Sequence, residues 1–307
     1  MTEEYHNPVL KEEVINGLNL EDKQLFVDGT LGGAGHTYEI LNRFNSLKEI
    51  AFDRDIEAIN YSKDRLKNYL DRVELLNCNF REITNYLKQK NLKADGILLD
   101  LGVSSHQIDD SERGFSFRFT GPLDMRMNRE QSLSAYEVVN NYDETKLANI
   151  IYEYGEERLS RQIAKAIVNS RPLKTTEELK TIVESVVSSY NKREVKSSVQ
   201  RVFQAIRIEV NGELEGLYDF ILSLADVTAK GGRIAIITFH SLEDRIVKRA
   251  FNELCTGCVC PPNLPICVCG HKPVAKFVNK KPITATEEEL KENTRASSAK
   301  LRVIEIL

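Results

Sequence analysis

The chain has 307 residues, enough for one large domain or two ordinary ones. A hydrophobic fraction of 41% with 29% charged residues describes a soluble globular protein, and no apolar run approaches the roughly 18 residues that a membrane helix needs. A net charge of −4 argues against a general nucleic-acid binder while leaving room for a local basic face.

The start, Met1-Thr2-Glu3-Glu4-Tyr5, is acidic and polar, so it is not a secretory signal and a cytoplasmic protein is expected. Amphipathic spacing predicts a helix over Lys11 to Leu18. The apolar, β-prone run Gln24 to Asp28 then ends in an acid. A glycine-rich turn follows, Gly29-Thr30-Leu31-Gly32-Gly33-Ala34-Gly35-His36, leading into a helical pattern from Thr37 to Phe44. After a buried parallel strand such a turn brings backbone close to a ligand, and the helix N-terminus offers unpaired N–H groups. A dinucleotide fingerprint would read G-x-G-x-x-G. Here Gly33-Ala34-Gly35-His36-Thr37-Tyr38 lacks the third glycine, and the acid precedes the glycines. Asp28 is expected to face a positive amine, which a pyrophosphate does not carry. S-adenosylmethionine, with its ammonium, sulfonium and adenosine, suits that arrangement; a turn without a ligand is the alternative.

The next strand candidate, Glu49 to Asp53, again ends in an acid, 18 residues beyond Gly35. An acid about 20 residues on accepts hydrogen bonds from ribose hydroxyls in βαβ nucleotide folds. Asp53 therefore reads as a ribose ligand or, alternatively, as a helix cap. A helix over Ile56 to Leu70 and a strand over Val73 to Cys78 follow. Phe80 packs on an adenine face or plugs the core. Helix Ile83 to Lys90 leads to the most apolar strand, Ala94 to Leu101. Strand–helix alternation of this kind predicts a doubly wound parallel sheet, whose ligands bind outside the carboxyl ends of the strands. Asp28, Asp53, Phe80 and Asp100 are expected to converge there.

Beyond Asp100 the alternation stops. A polar stretch to about Asn128 interleaves aromatics and arginines, Arg113 to Phe119 and Gly121 to Met127. Such a loop suits stacking and phosphate contact with single-stranded RNA; alternatively Phe115, Phe117 and Phe119 bury one side of it. From Ser134 to about Asn211 the spacing is helical throughout, with a capping box at Thr175 to Glu178 and a cationic group from Lys192 to Arg207 that could meet phosphates. The α/β pattern then resumes with a helix over Glu213 to Ala229, a turn at Lys230-Gly231-Gly232, a strand over Arg233 to Phe239 and a helix capped at His240. An alternating strand from Ala299 to Leu307 is expected to close the sheet edge. A split domain, 1–104 with 212–307, thus surrounds an inserted loop and helical substrate-recognition domain, 105–211. Five of the six cysteines fall between Cys255 and Cys269; they form either a structural zinc site or a cysteine-rich loop, and no metal ligand is assigned.

Several of these stretches, taken in order, resemble the MraW/RsmH-type S-adenosylmethionine-dependent methyltransferases, which modify the N4 amine of a cytosine in bacterial small-subunit ribosomal RNA. They are His6-Asn7-Pro8-Val9-Leu10, Asp28 to His36, Asp95 to Gln107, Arg113 to Phe117, Gly121 to Met127, Phe203 to Ile208, Phe239 to Lys248 and Arg295 to Arg302. The resemblance implies an α/β class I methyltransferase (Rossmann-like) doubly wound sheet with an inserted all-helical domain. It implies cofactor contacts at Ala34, Gly35 and His36, with Asp53, Phe80, Asp100 and Gln107; Gly33 joins them from the same turn. It also implies ribosomal RNA as partner, within the assembled small subunit. Amino-methylating enzymes often carry an acid or amide, two prolines and an aromatic after strand four. Here the tetrad is Asp100-Leu101-Gly102-Val103, so their catalytic logic does not transfer. An acceptor at that strand end still suits the chemistry, because the cytosine N4 lone pair is delocalised and needs orientation. Asp100, or a carbonyl or hydroxyl from Gly102 to Ser105, is the candidate, with water or Asp100 taking the proton. A methyltransferase of small amines or protein side chains, and an RNA assembly factor without turnover, are the competing readings.

Overall fold

The computed structural model describes residues 8–257, 269 and 272–307. The chain divides into two compact units, Met1–Gly102 with Glu215–Leu307, and Val103–Leu214. The first begins with α1 (Lys11–Leu18), β1 (Leu25–Asp28), α2 (Gly35–Arg43), β2 (Lys48–Asp53), α3 (Ile56–Arg65), β3 (Val73–Asn77), α4 (Ile83–Gln89) and β4 (Ala94–Asp100). The second carries α5 (Ser105–Asp109), α6 (Ala135–Asn141), α7 (Glu144–Gly155), α8 (Ser160–Asn169), α9 (Thr176–Ser188) and α10 (Val195–Asn211). The first then resumes with α11 (Leu217–Leu224), β5 (Thr228–Thr238), α12 (Ser241–Cys255), β6 (Ala275–Phe277), α13 (Glu287–Glu292) and β7 (Lys300–Ile306).

The sheet order is β3-β2-β1-β4-β5-β7-β6, parallel from β3 through β5, with β7 antiparallel to both neighbours. The order reverses between β1 and β4, and the strand tips on either side of that switch frame a crevice. This is the expected class I methyltransferase sheet. The strands occupy the positions their composition demands. Phe26 and Val27 of β1 and Ile97, Leu98 and Leu99 of β4 are fully buried, as near-continuous apolar runs covered on both faces should be. Three expectations are corrected. The last strand, β7, does not close the sheet edge but lies between β5 and β6, and β6 is the edge. The helix over Glu213 to Ala229 is only α11, and β5 already starts at Thr228. Gly231 and Gly232 fall inside that strand, where its pairing with β4 shifts register between Ala94 and Gly96. Glycine tolerates such an irregularity because no Cβ must be packed there.

The helical unit has its own core. Leu147 and Ile151 of α7, Ile163 and Ile167 of α8, Leu179 and Val183 of α9, and Val202 and Ile206 of α10 each repeat at i, i+4 and face one cluster. Thr175 and Glu178 form the capping box that their spacing predicts, and Gly212, left-handed at φ 57°, ends α10. No helix among the described residues is long and apolar enough to cross a membrane.

Candidate active site

The glycine turn after β1 is held from three sides. The Gly32 N–H donates to Asp53 Oδ2 at 2.7 Å, tying the turn to the tip of β2. From α3, the Ser62 hydroxyl donates to the Gly32 carbonyl at 3.1 Å and the Arg65 guanidinium to the Gly33 carbonyl at 2.7 Å. Ala34, left-handed at φ 56°, precedes α2 without any side-chain cap, so the start of the helix stays open to a ligand. Thr30 joins β1 to β4: its hydroxyl accepts the Asp100 N–H at 2.6 Å, and its own N–H donates to Asp28 Oδ1 at 2.9 Å. Gly29 permits that approach, since a Cβ there would lie 2.4 Å from Leu99 Cδ2.

Asp28 does not face a ligand. It is 1% exposed, and both carboxylate oxygens are engaged within the protein, Oδ2 lying 3.0 Å from the Thr37 hydroxyl. The same hydroxyl contacts Glu49 Oε1. One hydroxyl proton can serve only one of these acceptors, so one of the two buried carboxyls must be protonated and donate to Thr37 Oγ1. Burial pushes Asp28 up to about 6 and Glu49 well above its ordinary value, each charge also raising the other. Below 3.8 both folded and unfolded Asp28 are protonated; as pH rises toward about 6 only the unfolded chain releases its proton freely. Folding stability therefore falls across that window. Glu49→Gln, which supplies a permanent amide donor, is expected to flatten the fall, gaining about 1–2 kcal/mol over the parent at mildly alkaline pH. Equal melting shifts between acid and alkaline buffers for parent and variant would refute the shared proton.

Asp53 is not the helix cap: Asp55 caps α3 by accepting the Glu57 N–H. Asp53 instead accepts Gly32 N–H and Asp55 N–H through separate oxygens, and each oxygen retains a second lone pair. Burial pushes this carboxyl up to about 6. Phe80 is buried against Phe220, with ring centroids 5.2 Å apart, as its core reading requires.

At the β4 tip the Asp100 side chain is 25% exposed and Oδ2 lies 3.8 Å from His36 Nε2, too far for a hydrogen bond. Asp100 Oδ1 and both ring nitrogens of His36 are buried without a partner. Burial lowers His36 to about 4, so the imidazole is neutral. Burial, with the nearby charges of Asp28 and Glu243, pushes Asp100 up to about 8. Glu243 is itself fixed by accepting the Phe239 and His240 N–H groups at the start of α12. Orphaned polar atoms in such a place await partners, and a cationic ligand bearing hydroxyls and an ammonium offers them.

Asp53, Phe80 and Asp100 thus lie at the strand tips with the turn Gly33-Ala34-Gly35-His36 beside them. Gln107 belongs to the helical unit, where its side-chain carbonyl accepts the Ser104 N–H in a capping box on α5. Sequence reasoning missed Thr30, Thr37, Glu49 and Arg65. An acid inside the otherwise apolar run of β2 was the one available signal. Of the aromatic stretch, Phe115 is buried and Phe117 packs on Phe203 at 5.6 Å, leaving only Phe119 exposed, at 48%. Arg113 is fully buried, donating to the carbonyls of Arg126 and Met127, and Arg126 pairs with Asp124 at 2.7 Å. That segment is mostly self-supporting structure. Within the cysteine cluster, burial pushes the Cys255 thiol up to about 11; Cys258, Cys260, Cys267 and His271 lie outside the described residues, and with them the zinc reading.

A model of the MraW methylase family matches residues 3–307. The chain is 46% identical to the ribosomal RNA small subunit methyltransferase H of Brevibacillus brevis over 99% of this chain and 98% of that protein. It is 49% identical to the protein of the same name from Clostridium botulinum, over 97% of each, and 45% identical to that from Finegoldia magna, over 98% of each. Among solved structures, an rRNA methylase from Streptococcus thermophilus aligns with a TM-score of 0.37 at 11% identity, over 97% of this chain and 94% of that one. TrmN from Thermus thermophilus aligns with a TM-score of 0.37 at 12% identity, over 97% and 48%. Likenesses of that size carry no weight beside the strand order itself.

Proposed function

The chain belongs to the MraW methylase family, and from that premise we propose that it transfers the methyl group of S-adenosylmethionine to the N4 amine of a cytosine in small-subunit ribosomal RNA. The observation that carries this is the end-to-end match to relatives named as ribosomal RNA small subunit methyltransferases, spanning 97% or more of both chains. The cofactor supplies a methyl group made electrophilic by its sulfonium. The residues present fit it: orphaned buried atoms on His36 and Asp100, an uncapped helix start at Ala34 and spare acceptor capacity on Asp53.

In this reading Asp53 holds the ribose hydroxyls and the turn Gly33-Ala34-Gly35-His36 lies along the cofactor. Neutral His36 adds no repulsion toward a cationic ligand. Asp100 would accept a hydrogen bond from the cytosine amine and so orient it; the bound cofactor would supply the methyl group, and Asp100 or water would take the proton the amine gives up. The unit Val103–Leu214 is the substrate-recognition domain, and the assembled small subunit is the substrate.

The test is transfer of labelled methyl groups to unmodified small subunits, with naked ribosomal RNA and total small metabolites in parallel, followed by mass identification of the nucleosides. N4-methylated cytidine is the expected product, formed faster on subunits. Label only in a metabolite or protein overturns the substrate; bound cofactor with no label anywhere overturns the activity.

A further inference from the structure

The cations of the helical unit fall into two groups. One group is committed to the unit's own structure. Arg201 is bound to Glu157 at 2.5 Å, Arg207 to Glu213 at 2.8 Å and Lys180 to Glu177 at 3.2 Å. The Arg171 guanidinium donates to the carbonyls of Val139 and Tyr142. The stretch Lys192 to Arg207 is therefore not one phosphate-binding face.

Its first part differs. Lys192, Arg193 and Lys196 are exposed at the junction of α9 and α10, and Glu194, the carboxylate in the same turn, engages Asn191 and Arg201. Tyr190 stands beside them, 63% exposed. This is not a loose loop. Tyr190 and Asn191 both donate their N–H to the Val187 carbonyl, at 3.0 and 2.8 Å. Asn191 caps the 3₁₀ turn Lys192–Glu194 through the Arg193 N–H and also binds Glu194. Val187 and Val199 beneath it are buried in the core of the unit. A fixed backbone thus presents one bare aromatic ring and three unneutralised cations on a protein whose net charge is −4.

Neighbouring like charges cost some stability. What such a group matches is a polyanion with accessible flat rings. A single-stranded nucleic acid offers both, stacking a base on the aromatic while cations meet the flanking phosphates. Charge complementarity selects this occupant over an apolar peptide, which would leave three cations unanswered.

We propose that the α9–α10 turn is a docking tip for a single-stranded segment of the ribosomal RNA substrate, with Tyr190 stacking on an unpaired base and Lys192, Arg193 and Lys196 contacting its phosphates. The inference rests on the RNA reading above and adds the surface that makes the contact.

The experiment measures binding of naked small-subunit ribosomal RNA and of assembled subunits by full-length protein across a salt series. The variants are Tyr190→Ala and the triple change Lys192→Gln, Arg193→Gln, Lys196→Gln. Tyr190→Ala is expected to weaken binding about tenfold. The triple variant is expected to lower the slope of log affinity against log salt by about 2, at about 0.7 per single-strand phosphate contact. Melting temperature and cofactor affinity stay at parental values, because no internal contact is removed. Unchanged RNA affinity and salt slope in both variants, with the parent still methylating subunits, overturns the tip alone. Loss confined to assembled subunits, with naked RNA binding intact, assigns the turn to a ribosomal protein and equally overturns it. A parent that neither binds nor methylates RNA overturns the functional reading instead.

Discussion

Asp100→Ala is expected to lower methyl transfer at saturating cofactor by about a hundredfold or more, the range in which a positioned acceptor acts. The fold should tolerate the change. The Asp100 side chain has an oxygen without a partner, its backbone N–H stays with Thr30, and removing a carboxyl beside Asp28 and Glu243 relieves repulsion. Asp100→Asn separates orientation from charge, since the amide oxygen still accepts a hydrogen bond. The pH dependence of cofactor affinity tests the charge directly. Asp100 ionises at about 8 in the free protein, and a cation bound beside it favours the ionised form, so binding below that pH expels a proton. Affinity should then rise by up to about tenfold per pH unit toward pH 8 and level off above it. Asp28 and Asp53 titrate lower, at about 6, and His36 stays neutral; Glu49 is also pushed well above its ordinary value, so the Asp100→Asn variant is what assigns the slope above neutrality. In Asp100→Asn it should be flat. Turnover unchanged in Asp100→Ala would end the catalytic role, and a slope retained in Asp100→Asn would end the electrostatic one.

The parts of the site that sequence displayed are those where one residue type has one job. Acids closing apolar runs at Asp53 and Asp100 marked strand tips, because a buried parallel strand excludes charge until its end. The place of β7, antiparallel between β5 and β6 and not at the sheet edge, was not legible in the alternation, because pairing with β6 depends on a short strand far from it in pattern. Asp28 looked the same as Asp53 and serves differently. Its fate depended on Thr30 and Thr37 closing over it, a tertiary contact that no local pattern encodes. Glu49 was hidden for the same reason, since its hydroxyl partner lies a helix away. The arginine-aromatic stretch was misleading in the other direction. Arg113 and Phe115 have the composition of an RNA surface, yet they hold a loop together from inside. Burial distinguishes them from the exposed Tyr190.

That loop carries the largest expected effect on folding. Gly121→Ala would place a Cβ 1.9 Å from the Ser111 carbonyl oxygen and 2.9 Å from its carbon, both backbone atoms. A flexible side chain can swing away from such an overlap; a backbone carbonyl moves only with its chain. Here that chain is anchored on both sides. Gly121 exchanges hydrogen bonds with Thr176 at the start of α9, its N–H reaching the hydroxyl at 3.0 Å and its carbonyl accepting the Thr176 N–H at 2.9 Å. The Ser111 side is held by Arg113, whose carbonyl accepts the Met125 N–H. Relief must therefore break ordered contacts in the core of the helical unit. A loss of about 3 kcal/mol or more is expected, at the upper end for overpacking, with a correspondingly large fall in melting temperature. Gly216→Ala is the control, left-handed at φ 64° with nothing within 4 Å of the added Cβ. It should cost only the conformational strain of about 1–2 kcal/mol. The contrast isolates steric overlap from backbone preference. A Gly121→Ala protein that melts within a degree or so of the parent, or no lower than Gly216→Ala, would mean that the loop repacks and that its close approach to Ser111 is not required.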